Sequence, residues 1–400
     1  MAPFSRFHHD ILRSRVISGR GDLAALPLVA LDDVTEPADL VLRPTAQTLA
    51  AAPDRDLRLR WWWARLRRRS GAFNRDFIEP RYKPIHWHAD GVPVAYSAAD
   101  LDRLAELGRA GLEMAGVHGD DVLVSVYPPG ADLGFWQVAL GARRAGVPAM
   151  FLGPEASPDE VARLRPSVLC GRPGDLVRLL HAGREVGLSF AGLSTLLVIG
   201  EPLDPPRRAR LAELGGGAAG PVAVVVAWAP PGVRALWVEC RDGIDVHTWP
   251  TAEIVELVDP LSGNPVPPGA DGEMVWTPIG WMGSVVLRLR TGTYGSIDHS
   301  ACPSCGRSAA RLRVIDRLPP FARILDDHPG VAAWQAELRI HDGVEELIVF
   351  LAAEVEGHPG RLVRELDRQL SVTQFVVLDR HSMDERLQDA NDARVIDLRS

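Results

Sequence analysis

The sequence is almost without lysine. Of its 44 basic residues, Lys83 is the only lysine, and the other 43 are arginines. Any reaction that needs a lysine ammonium group beyond residue 83 therefore finds none in this sequence. Because the chain is also rich in alanine, glycine and proline, the skew indicates codon bias more than selection for a binding partner.

Long apolar runs are lacking as well. No run reaches the roughly 18 residues that a membrane span needs, and the arginine-rich first 20 residues have no apolar signal-peptide core. We therefore expect a cytoplasmic protein with no membrane partner. The net charge of −8 and the pI near 5.9 argue against a nucleic-acid partner. The 400 residues, 46% of them hydrophobic, suffice for one large and one smaller domain.

Apolar runs alternate with amphipathic segments in the first half of the chain. Ser97 and Asp100 form the pattern of a capping box that opens a helix through about residue 115. The predicted elements that follow are strand 122–127, helix 133–145, strand 149–152, helix 158–164, strand 167–170, helix 174–185, strand 195–199, helix 205–214 and strand 222–227. This alternation predicts an α/β fold in which helices flank mostly parallel strands.

The pattern changes after Glu253. Strands are predicted at 254–258, 273–277 and 285–289, so this part is β-rich. The tail is predicted to contain a hairpin of strands 334–340 and 344–351, a helix at 360–370 and a strand at 373–378. We therefore predict a large domain over 1–316 and a small α+β domain over 318–400.

Cysteine is scarce, but three of the four cysteines fall into a metal-binding pattern. Cys302 and Cys305 form a CxxC knuckle, and a predicted hairpin turn would bring Cys240 and His247 beside it. Zinc binds four nitrogen or sulfur donors in a tetrahedral array, so we predict one structural zinc ion held by these four residues. The fourth cysteine, Cys170, lies in a predicted buried strand and is expected to be a core residue.

A redox pair and a disulfide are the alternatives for Cys302 and Cys305. A cytoplasmic location disfavours the disulfide. The knuckle also does not lie at a strand-to-helix junction, where thioredoxin-like redox motifs occur. The zinc site is therefore favoured.

The best-defined similarity begins at residue 254. The stretches 254–278 and 287–292 resemble phenylacetate-CoA ligases, which belong to the adenylate-forming superfamily of acyl-CoA synthetases, adenylation domains and luciferases. The knuckle with Cys-Gly-Arg, the hinge sequence 313–317 and the ending 393–399 follow in the order of that family. The resemblance implies the family fold, in which a small lid domain rotates between adenylation and thioester formation.

Two nucleotide-binding segments of the family are altered. Its Ser/Thr/Gly-rich loop ending in Gly-Lys holds the pyrophosphate. The matching residues 85–94 are fewer, have one glycine and no Ser, Thr or Lys, and add the carboxylate of Asp90. The family's Tyr-Gly-x-(Ser/Thr)-Glu segment stacks on adenine and supplies an acid towards magnesium. Residues 226–232 stand in its place without an acid.

Two further family groups are absent from their positions. Thr293 replaces the aspartate that holds the ribose hydroxyls, and Asn391-Asp392 replaces the catalytic lysine of the lid. The glycine-rich lid segment is also shortened, at 318–320. Losing one such preorganised group reduces a rate by roughly two to three orders of magnitude. We therefore expect no ordinary adenylation, and neither ATP nor Mg²⁺ as a cofactor.

Three other groups of residues are candidates for function. The tryptophans 61–63, interleaved with arginines, are expected to pack against the protein as an amphipathic helix rather than to bind an anionic partner. His86 and His88, with Asp90, are candidate acid–base residues, although histidines two apart on a strand are commonly structural. The resemblance places Tyr127, Phe135 and Trp136 in the acyl or aryl pocket, and the same residues could equally be core.

The leading interpretation is a phenylacetate-CoA ligase homologue that has lost ATP-dependent adenylation. It would bind an acyl or aryl thioester, or a carrier protein, in a biosynthetic pathway, and a homodimer or another protein partner is left open. The alternative is an ATP-independent acyltransferase that uses a preactivated thioester, with His86, His88 or Cys170 as base or nucleophile. The least favoured interpretation is an active CoA or amide ligase with substitute nucleotide contacts.

Overall fold

The structure is a computed structural model that describes most of the chain. The described residues are 4–12, 17, 19–52, 54–88, 93–130, 132–200, 203, 205–216, 220–243, 245–260, 262–316, 325, 328, 330–341, 344–353, 359–367, 370, 372–389 and 395–398. The chain divides into two compact units. The first comprises Met1–Val255, Trp276–Thr291 and Asp298–Arg313, and the second comprises Glu256–Val275, Gly292–Ile297 and Val314–Ser400.

Most of the helices in the described part of the chain lie before residue 216, and two lie near its C-terminal end. They are α1 (His9–Leu12), α2 (Arg20–Ala24), α3 (Ala46–Ala50), α4 (Arg55–Leu66), α5 (Ser70–Phe73), α6 (Glu79–Tyr82), α7 (Ala98–Met114), α8 (Leu133–Ala145), α9 (Pro158–Arg163), α10 (Pro173–Glu185), α11 (Pro205–Gly215), α12 (Pro359–Asp367) and α13 (Arg380–Asp389). Among the described residues, no helix is both long enough and apolar enough to cross a membrane.

In the described part of the chain, the strands form three sheets. They are β1 (His86–His88), β2 (Val94–Tyr96), β3 (Leu123–Ser125), β4 (Ala149–Phe151), β5 (Val168–Gly171), β6 (Thr195–Ile199), β7 (Ala223–Trp228), β8 (Trp237–Glu239), β9 (Val246–His247), β10 (Glu253–Val258), β11 (Gly272–Pro278), β12 (Leu289–Asp298), β13 (Arg311–Asp316), β14 (Val331–His341), β15 (Val344–Ala353), β16 (Gln374–Leu378) and β17 (Val395–Leu398). The largest sheet has the order β10-β11-β12-β13-β9-β8-β7-β6-β5-β3-β4. β1 and β2 form a separate hairpin, and the third sheet has the order β16-β15-β14-β17.

The parallel part of the large sheet confirms the predicted α/β fold. β4, β3, β5, β6 and β7 pair in parallel, and the helices between them begin and end close to the predicted residues. At the start of α7, the Ser97 side chain accepts a hydrogen bond from the Asp100 backbone N–H, so the predicted capping box is present.

Helices α7 and α8 pack through two glycines. A Cβ atom on Gly108 would lie 2.4 Å from the carbonyl oxygen of Gln137, and one on Gly141 would lie 2.6 Å from the backbone of Gly108. Side chains at these positions would therefore force the helices apart. The close approach lets the buried Gln137 amide bond to the Leu236 backbone, at 2.7 Å and 3.4 Å.

One predicted strand of the β-rich part is wrong. The structure has no strand over 285–288, and β12 begins only at Leu289. Arg288 has a φ of 53°, a left-handed backbone conformation that interrupts an extended chain. Its guanidinium donates to the carbonyl oxygens of Ala24 and Leu26, contacts with distant residues that no local pattern reveals.

The second unit contains the third sheet. β14 and β15 form the predicted antiparallel hairpin, and β16 and β17 add in parallel on either side. Trp334, Leu347, Leu351 and Leu366 form its apolar core.

Several predictions concern residues outside the described part, namely those on Asp90 and residues 89–92, on the hinge at 317–320, on the turn 342–343 and on Asn391-Asp392. The domain boundary at 316–318 stays a prediction.

Candidate metal centre and aromatic cluster

The Cys302–Cys305 knuckle is a tight turn between β12 and β13. The backbone N–H of Gly306 donates to the carbonyl oxygen of Cys302, and the Cys302 N–H donates to that of Arg307, both at 2.8 Å. Gly306 has a φ of 71°, which favours glycine over a residue with a Cβ atom. The turn therefore points both thiols to one side.

The other two candidate ligands come from the hairpin of β8 and β9. Val238 pairs with His247 in this antiparallel hairpin, which places Cys240 close to His247, as the sequence predicts. The Gly243 N–H closes the turn on the Cys240 carbonyl oxygen at 2.9 Å. Ser304 then links the knuckle to this turn, because its hydroxyl donates to the carbonyl oxygen of Asp242 at 3.2 Å.

The four ligand atoms are close enough to share one metal ion. Each residue offers one donor atom, and all four lie within 4.8 Å of one another. The Cys240 and Cys302 sulfurs are 3.8 Å apart, and the Cys305 sulfur lies 3.5 Å from Nε2 of His247. Tetrahedral zinc with bonds of about 2.3 Å to sulfur and about 2.0–2.1 Å to nitrogen would separate two sulfurs by about 3.8 Å and a sulfur from a nitrogen by about 3.6 Å. The arrangement therefore fits a metal ion of this kind.

The protonation states of His247 and Cys302 suit metal binding, whereas burial and the neighbouring thiols raise the pKa of Cys240 to about 12. Burial lowers the pKa of His247 to about 4, so its imidazole is neutral. Burial acts to raise the pKa of Cys302, but the backbone N–H groups of Cys305 and Ser304 oppose it and lower the pKa to about 7. A metal ion binds neutral imidazole and thiolate, so its binding at this cluster would release protons from the thiols. The Nδ1 atom of His247 has no hydrogen-bond partner among the described residues.

A second cluster combines histidine and aromatic rings. His86 and His88 of β1 lie with their ring centroids 4.8 Å apart. The Trp136 ring lies 4.4 Å from that of His86, and the Tyr96 ring 4.3 Å from that of His88. The structure thus brings Trp136, which the resemblance assigns to a pocket, beside His86 and His88, which the sequence predicts as candidate acid–base residues.

His88 is the most unusual member of this cluster. It is only 3% exposed, and neither of its ring nitrogens has a hydrogen-bond partner among the described residues. Burial lowers the pKa of His88 to about 3, with further lowering by His86 and Arg234. The imidazole is therefore neutral near pH 7 and accepts a proton only weakly, which disfavours His88 as a general base.

Tyr127 and Phe135, the other predicted pocket residues, make contacts outside the histidine pair. The Tyr127 hydroxyl donates to Asp132 Oδ2 at 2.6 Å, and burial raises the pKa of Tyr127. Phe135 packs against Trp136 and Phe151, with ring centroids 5.5 Å and 5.4 Å away. The assignment of Tyr127, Phe135 and Trp136 to an acyl or aryl pocket stays a prediction.

A small apolar recess of about 20 Å³ lies elsewhere in the first unit, between α7, α8 and the strands β6, β7 and β8. Tyr127, Phe135 and Trp136 do not line it. Its lining includes Gly108, Gly111, Leu112, Val138 and Leu197.

Cys170 does not have the properties of a nucleophile. It is fully buried in β5, and burial raises its pKa to about 12. Only the thiolate attacks an acyl group, and this thiol stays protonated near neutral pH. The environment agrees with the core role expected from the sequence.

Comparison with known proteins identifies relatives of similar sequence. No family model matches the chain. It is 29% identical over 247 residues to the phenylacetate-coenzyme A ligase of Thermus thermophilus, an alignment that covers 59% of this chain and 55% of the relative. It is 25% identical over 226 residues to that of Aromatoleum evansii, covering 54% of this chain and 51% of the relative. The alignments thus span about half the length of the curated relatives.

Solved structures agree with these sequence matches. The structure of 2-hydroxyisobutyryl-CoA ligase in the postadenylation state, in complex with 2-HIB-AMP, has a TM-score of 0.62 at 18% identity. The match covers 98% of this chain and 89% of that one. The same ligase in the thioesterification state, with 2-HIB-AMP and CoA, has a TM-score of 0.60 at 18% identity and covers 100% and 87%. The chain has the fold of adenylate-forming CoA ligases. The resemblance to phenylacetate-CoA ligases predicted from the sequence is confirmed.

The residues that the sequence resemblance places at the nucleotide-handling positions of CoA ligases can now be described. Lys83, the only lysine, is exposed after α6, and its Nζ lies 3.8 Å from Glu79 Oε2. The resemblance places Trp228 at the family's adenine-stacking segment, which stays a prediction. Trp228 is 4% exposed and packs on Trp237 with ring centroids 5.3 Å apart. Thr293 is buried in β12 at 2% exposure.

Some residues that support the two clusters were not identified from the sequence. Ser304, which joins the knuckle to the hairpin turn, carries no signal beyond its place in the CxxC spacing. Arg234 lies 4.2 Å above the Tyr96 ring and was also missed. A lone arginine in a loop gives no local sign that it is buried.

Proposed function

We propose that this protein is a phenylacetate-CoA ligase homologue that has lost ATP-dependent adenylation and acts as a binding or partner protein for an acyl or aryl thioester. The observation that carries the proposal is the place of its single lysine, Lys83, on the surface beside Glu79. In this fold the lid lysine stabilises the charge that builds up on the carboxylate and α-phosphate. An exposed ammonium group paired with Glu79 is not available for that task.

The environment of Trp228 supports the same conclusion. A large indole held against Trp237 fills the place of a segment that supplies stacking and a carboxylate in the family. Trp228 has no acidic group to offer magnesium. At the place of the phosphate loop, β1 and β2 pair as a short hairpin in which His88 is buried and neutral. A neutral ring does not replace an ammonium charge facing pyrophosphate.

The retained aromatic residues support a role in binding. Trp136 and Phe135 lie in mutual contact near His86, at the positions that the resemblance assigns to the acyl or aryl pocket. Aromatic side chains contribute large apolar contact area and specific ring packing. An aryl thioester is a ligand that such a surface fits.

Titration calorimetry with Mg-ATP, combined with a pyrophosphate-exchange assay, tests the loss of adenylation. We expect neither heat of binding at micromolar ATP nor exchange with phenylacetate or other aryl acids. Micromolar ATP binding accompanied by exchange would overturn the proposal and favour an active ligase with substitute contacts. A phenylacetate-CoA ligase that carries the lid lysine serves as the positive control.

Binding of the thioester is tested separately with phenylacetyl-CoA, CoA alone and phenylacetate alone. We expect the thioester to bind most tightly and Trp136→Ala to weaken it by about tenfold, as removal of a buried aromatic contact does. Met150→Ala, an exposed apolar truncation on β4, is the matched control. Equal affinity for CoA and phenylacetyl-CoA would contradict an acyl or aryl pocket.

The unpartnered nitrogens of His88 favour one second candidate, an acyltransferase that uses a preactivated thioester without ATP. A neutral imidazole N–H could hold a thioester carbonyl even where it cannot serve as a base. This candidate requires turnover of acyl-CoA that disappears in His88→Ala. Absence of turnover across a panel of aryl and alkyl thioesters would exclude it.

For the metal centre, the proposed ion is zinc in a structural role. The sulfur and nitrogen separations fit tetrahedral zinc, and three cysteines with one histidine occupy all four positions. A closed set leaves no open position for a substrate or a reactive water. The ion would hold the knuckle to the β8–β9 hairpin and take no part in chemistry.

A further inference from the structure

Helix α4 has two apolar faces. Leu57, which is 7% exposed, and Trp61 turn inward and pack against the core cluster of the first unit. The other four large apolar side chains of the helix are exposed. They are Leu59 at 54%, Trp62 at 51%, Trp63 at 49% and Leu66 at 60%.

These four residues form one stripe along the helix. Their spacing of three, four and seven residues puts them on a single face, because each residue turns an α-helix by about 100°. At about 100° per residue, the centre of the stripe lies nearly opposite the face that carries Leu57 and Trp61. The stripe therefore points away from the core. The expectation that Trp61, Trp62 and Trp63 all pack against the protein is wrong for Trp62 and Trp63, which are exposed.

Arginines border the stripe on both sides. Arg58 and Arg65 fall on one flank, and Arg60 and Arg67 on the other, about 90–110° from the centre of the stripe. All four are exposed. Arg67 is held beside the stripe, with its guanidinium carbon 5.3 Å from the Trp63 ring centroid.

The charge of this segment is opposite to that of the rest of the chain. Residues 55–69 contain seven arginines and one aspartate, a net charge of +6, while the chain as a whole carries −8. The remainder therefore carries −14. Since charges in physiological salt are screened beyond about 8 Å, a surface that touches α4 interacts mainly with its arginines.

We propose that the outward face of α4 is a docking surface for an anionic lipid bilayer. An apolar stripe with tryptophan, bordered by cationic side chains at the helix equator, is the arrangement of helices that lie in the membrane interface. The indole rings enter the headgroup boundary, and the arginines reach the lipid phosphates along their apolar stems. The protein would bind peripherally, contrary to the expectation of no membrane partner.

Other occupants fit the same face less well. The Trp62 and Trp63 rings meet edge to face, at 5.5 Å and 79°, and do not offer the open parallel faces on which nucleic-acid bases stack. A second copy would bring two arginine-bordered stripes together, with repulsion between them. A specific protein interface buries about 800 Å² on each partner, more than four half-exposed side chains over two helical turns supply. This inference does not depend on the thioester proposal.

Vesicle flotation with the full chain tests the surface directly. We expect binding to vesicles of phosphatidylcholine with one third phosphatidylglycerol, loss of binding at high salt, and no binding to phosphatidylcholine alone. Each arginine neutralised near an anionic membrane should weaken binding by about fivefold. The variant R58Q/R60Q/R65Q/R67Q should therefore bind several hundredfold more weakly, and W62A/W63A should also lose binding.

Matched variants distinguish binding through α4 from effects of net charge and of exposed apolar area elsewhere on the protein. R143Q/R163Q/R361Q/R380Q removes the same charge elsewhere, and M150A/V186A removes exposed apolar side chains elsewhere. Both should bind as the wild type does. Thermal unfolding of W62A/W63A and of the two matched variants should be unchanged, because their side chains are exposed. The quadruple arginine variant also loses the hydrogen bond from Arg58 to the Ala52 carbonyl oxygen and the contacts of Arg60 and Arg65 with the Phe77 and Trp61 rings, so its vesicle binding is measured well below its own unfolding temperature.

Two results would overturn the proposal. One is absence of binding to phosphatidylglycerol vesicles at low salt. The other is equal loss of binding in the matched variants, which would place the attraction outside α4. If the helix instead binds polyglutamate or single-stranded DNA while vesicles fail, the partner is a protein or a nucleic acid and the lipid proposal is wrong.

Discussion

The Cys305 sulfur lies 3.5 Å from Nε2 of His247, although the two residues are 58 positions apart in the chain. The second contact of the cluster, between the sulfurs of Cys240 and Cys302, joins residues 62 positions apart. Two loops that are distant in sequence therefore present their donor atoms to one point. A metal ion held there would cross-link β9 and the knuckle, and its removal should lower the free energy of unfolding.

The first prediction concerns zinc content. The purified protein should contain one zinc per chain by plasma mass spectrometry, and Cys305→Ser should contain almost none, because a serine hydroxyl is a poor zinc ligand. Chelation at low pH should lower the thermal midpoint, since metal-binding energy is also folding energy. Cys170→Ser is the control, a buried cysteine outside the cluster, and should keep its zinc. A wild type free of zinc and other transition metals would contradict the metal centre.

The second prediction concerns Gly243, which approaches the cluster from the hairpin turn. A Cβ atom at this position would lie 2.7 Å from the Cys240 sulfur, closer than real contacts allow. Gly243→Ala should therefore displace the sulfur and weaken zinc binding by about tenfold or more, as loss of a supporting interaction does. Competition with a chromophoric chelator measures this change. Gly174→Ala, where a Cβ atom meets nothing within 4 Å, should leave the affinity unchanged.

Much of the parallel sheet could be predicted because its signals are local. The strands β5, β6 and β7 are short apolar runs bounded by turn residues, and each helix between them follows a recognisable start. The metal cluster could also be predicted, since a CxxC spacing and a hairpin turn are both local patterns. Only the pairing of β8 with β9 had to be assumed, and it is confirmed.

The parts that could not be predicted depend on distant residues. Arg288 takes a left-handed conformation to reach carbonyl oxygens more than 260 positions away, which ended the predicted strand at 285–289. The direction of Trp62 and Trp63 depends on where the core lies, and the spacing of apolar residues on α4 fits two opposite faces equally well. His88 packs against the Tyr96 ring of β2 and against His86, and the pattern of two histidines in a strand does not predict this packing.

The third prediction concerns a buried ion pair at the start of α7. Asp100 Oδ2 lies 3.7 Å from Arg234, and both side chains are at most 2% exposed. The carboxylate also accepts hydrogen bonds from the backbone N–H groups of Ser97, Met282 and Gly283. Removing one partner leaves the other charge buried, so Asp100→Ala should lower the free energy of unfolding by about 3–5 kcal/mol.

A matched control exists in a second capping box. Glu160 occupies the equivalent place at the start of α9, bonded to Ser157, but it is exposed. Glu160→Ala should lower the free energy of unfolding far less than Asp100→Ala, because its carboxylate is in contact with water and no buried charge loses its partner. Urea unfolding followed by circular dichroism compares the two variants. Equal losses would show that Asp100 acts only as a helix cap.

The fourth prediction concerns the pH dependence of stability and rests on Glu253. This carboxyl group accepts hydrogen bonds of 2.7 Å from the indole N–H groups of Trp237 and Trp276 and from the backbone N–H of Trp249. Burial nevertheless raises the pKa of Glu253 to about 7, from an ordinary 4.5, against the lowering effect of these donors. Between these pH values the folded chain keeps a proton that the unfolded chain releases. The contribution of Glu253 is therefore complete below pH 4.5 and is lost as the pH rises through 7.

The size of this effect is about 3 kcal/mol, because each pKa unit corresponds to about 1.4 kcal/mol. Glu253→Gln cannot titrate, so the stability advantage of the wild type over this variant should shrink as the pH rises from about 5 to about 8. Urea unfolding at several pH values measures that difference, and the comparison cancels the contribution of Glu239, whose pKa burial also raises to about 7. The exposed Glu185→Gln variant should follow the wild type throughout. An advantage that stays constant with pH would mean that the three N–H donors hold Glu253 ionised despite its burial.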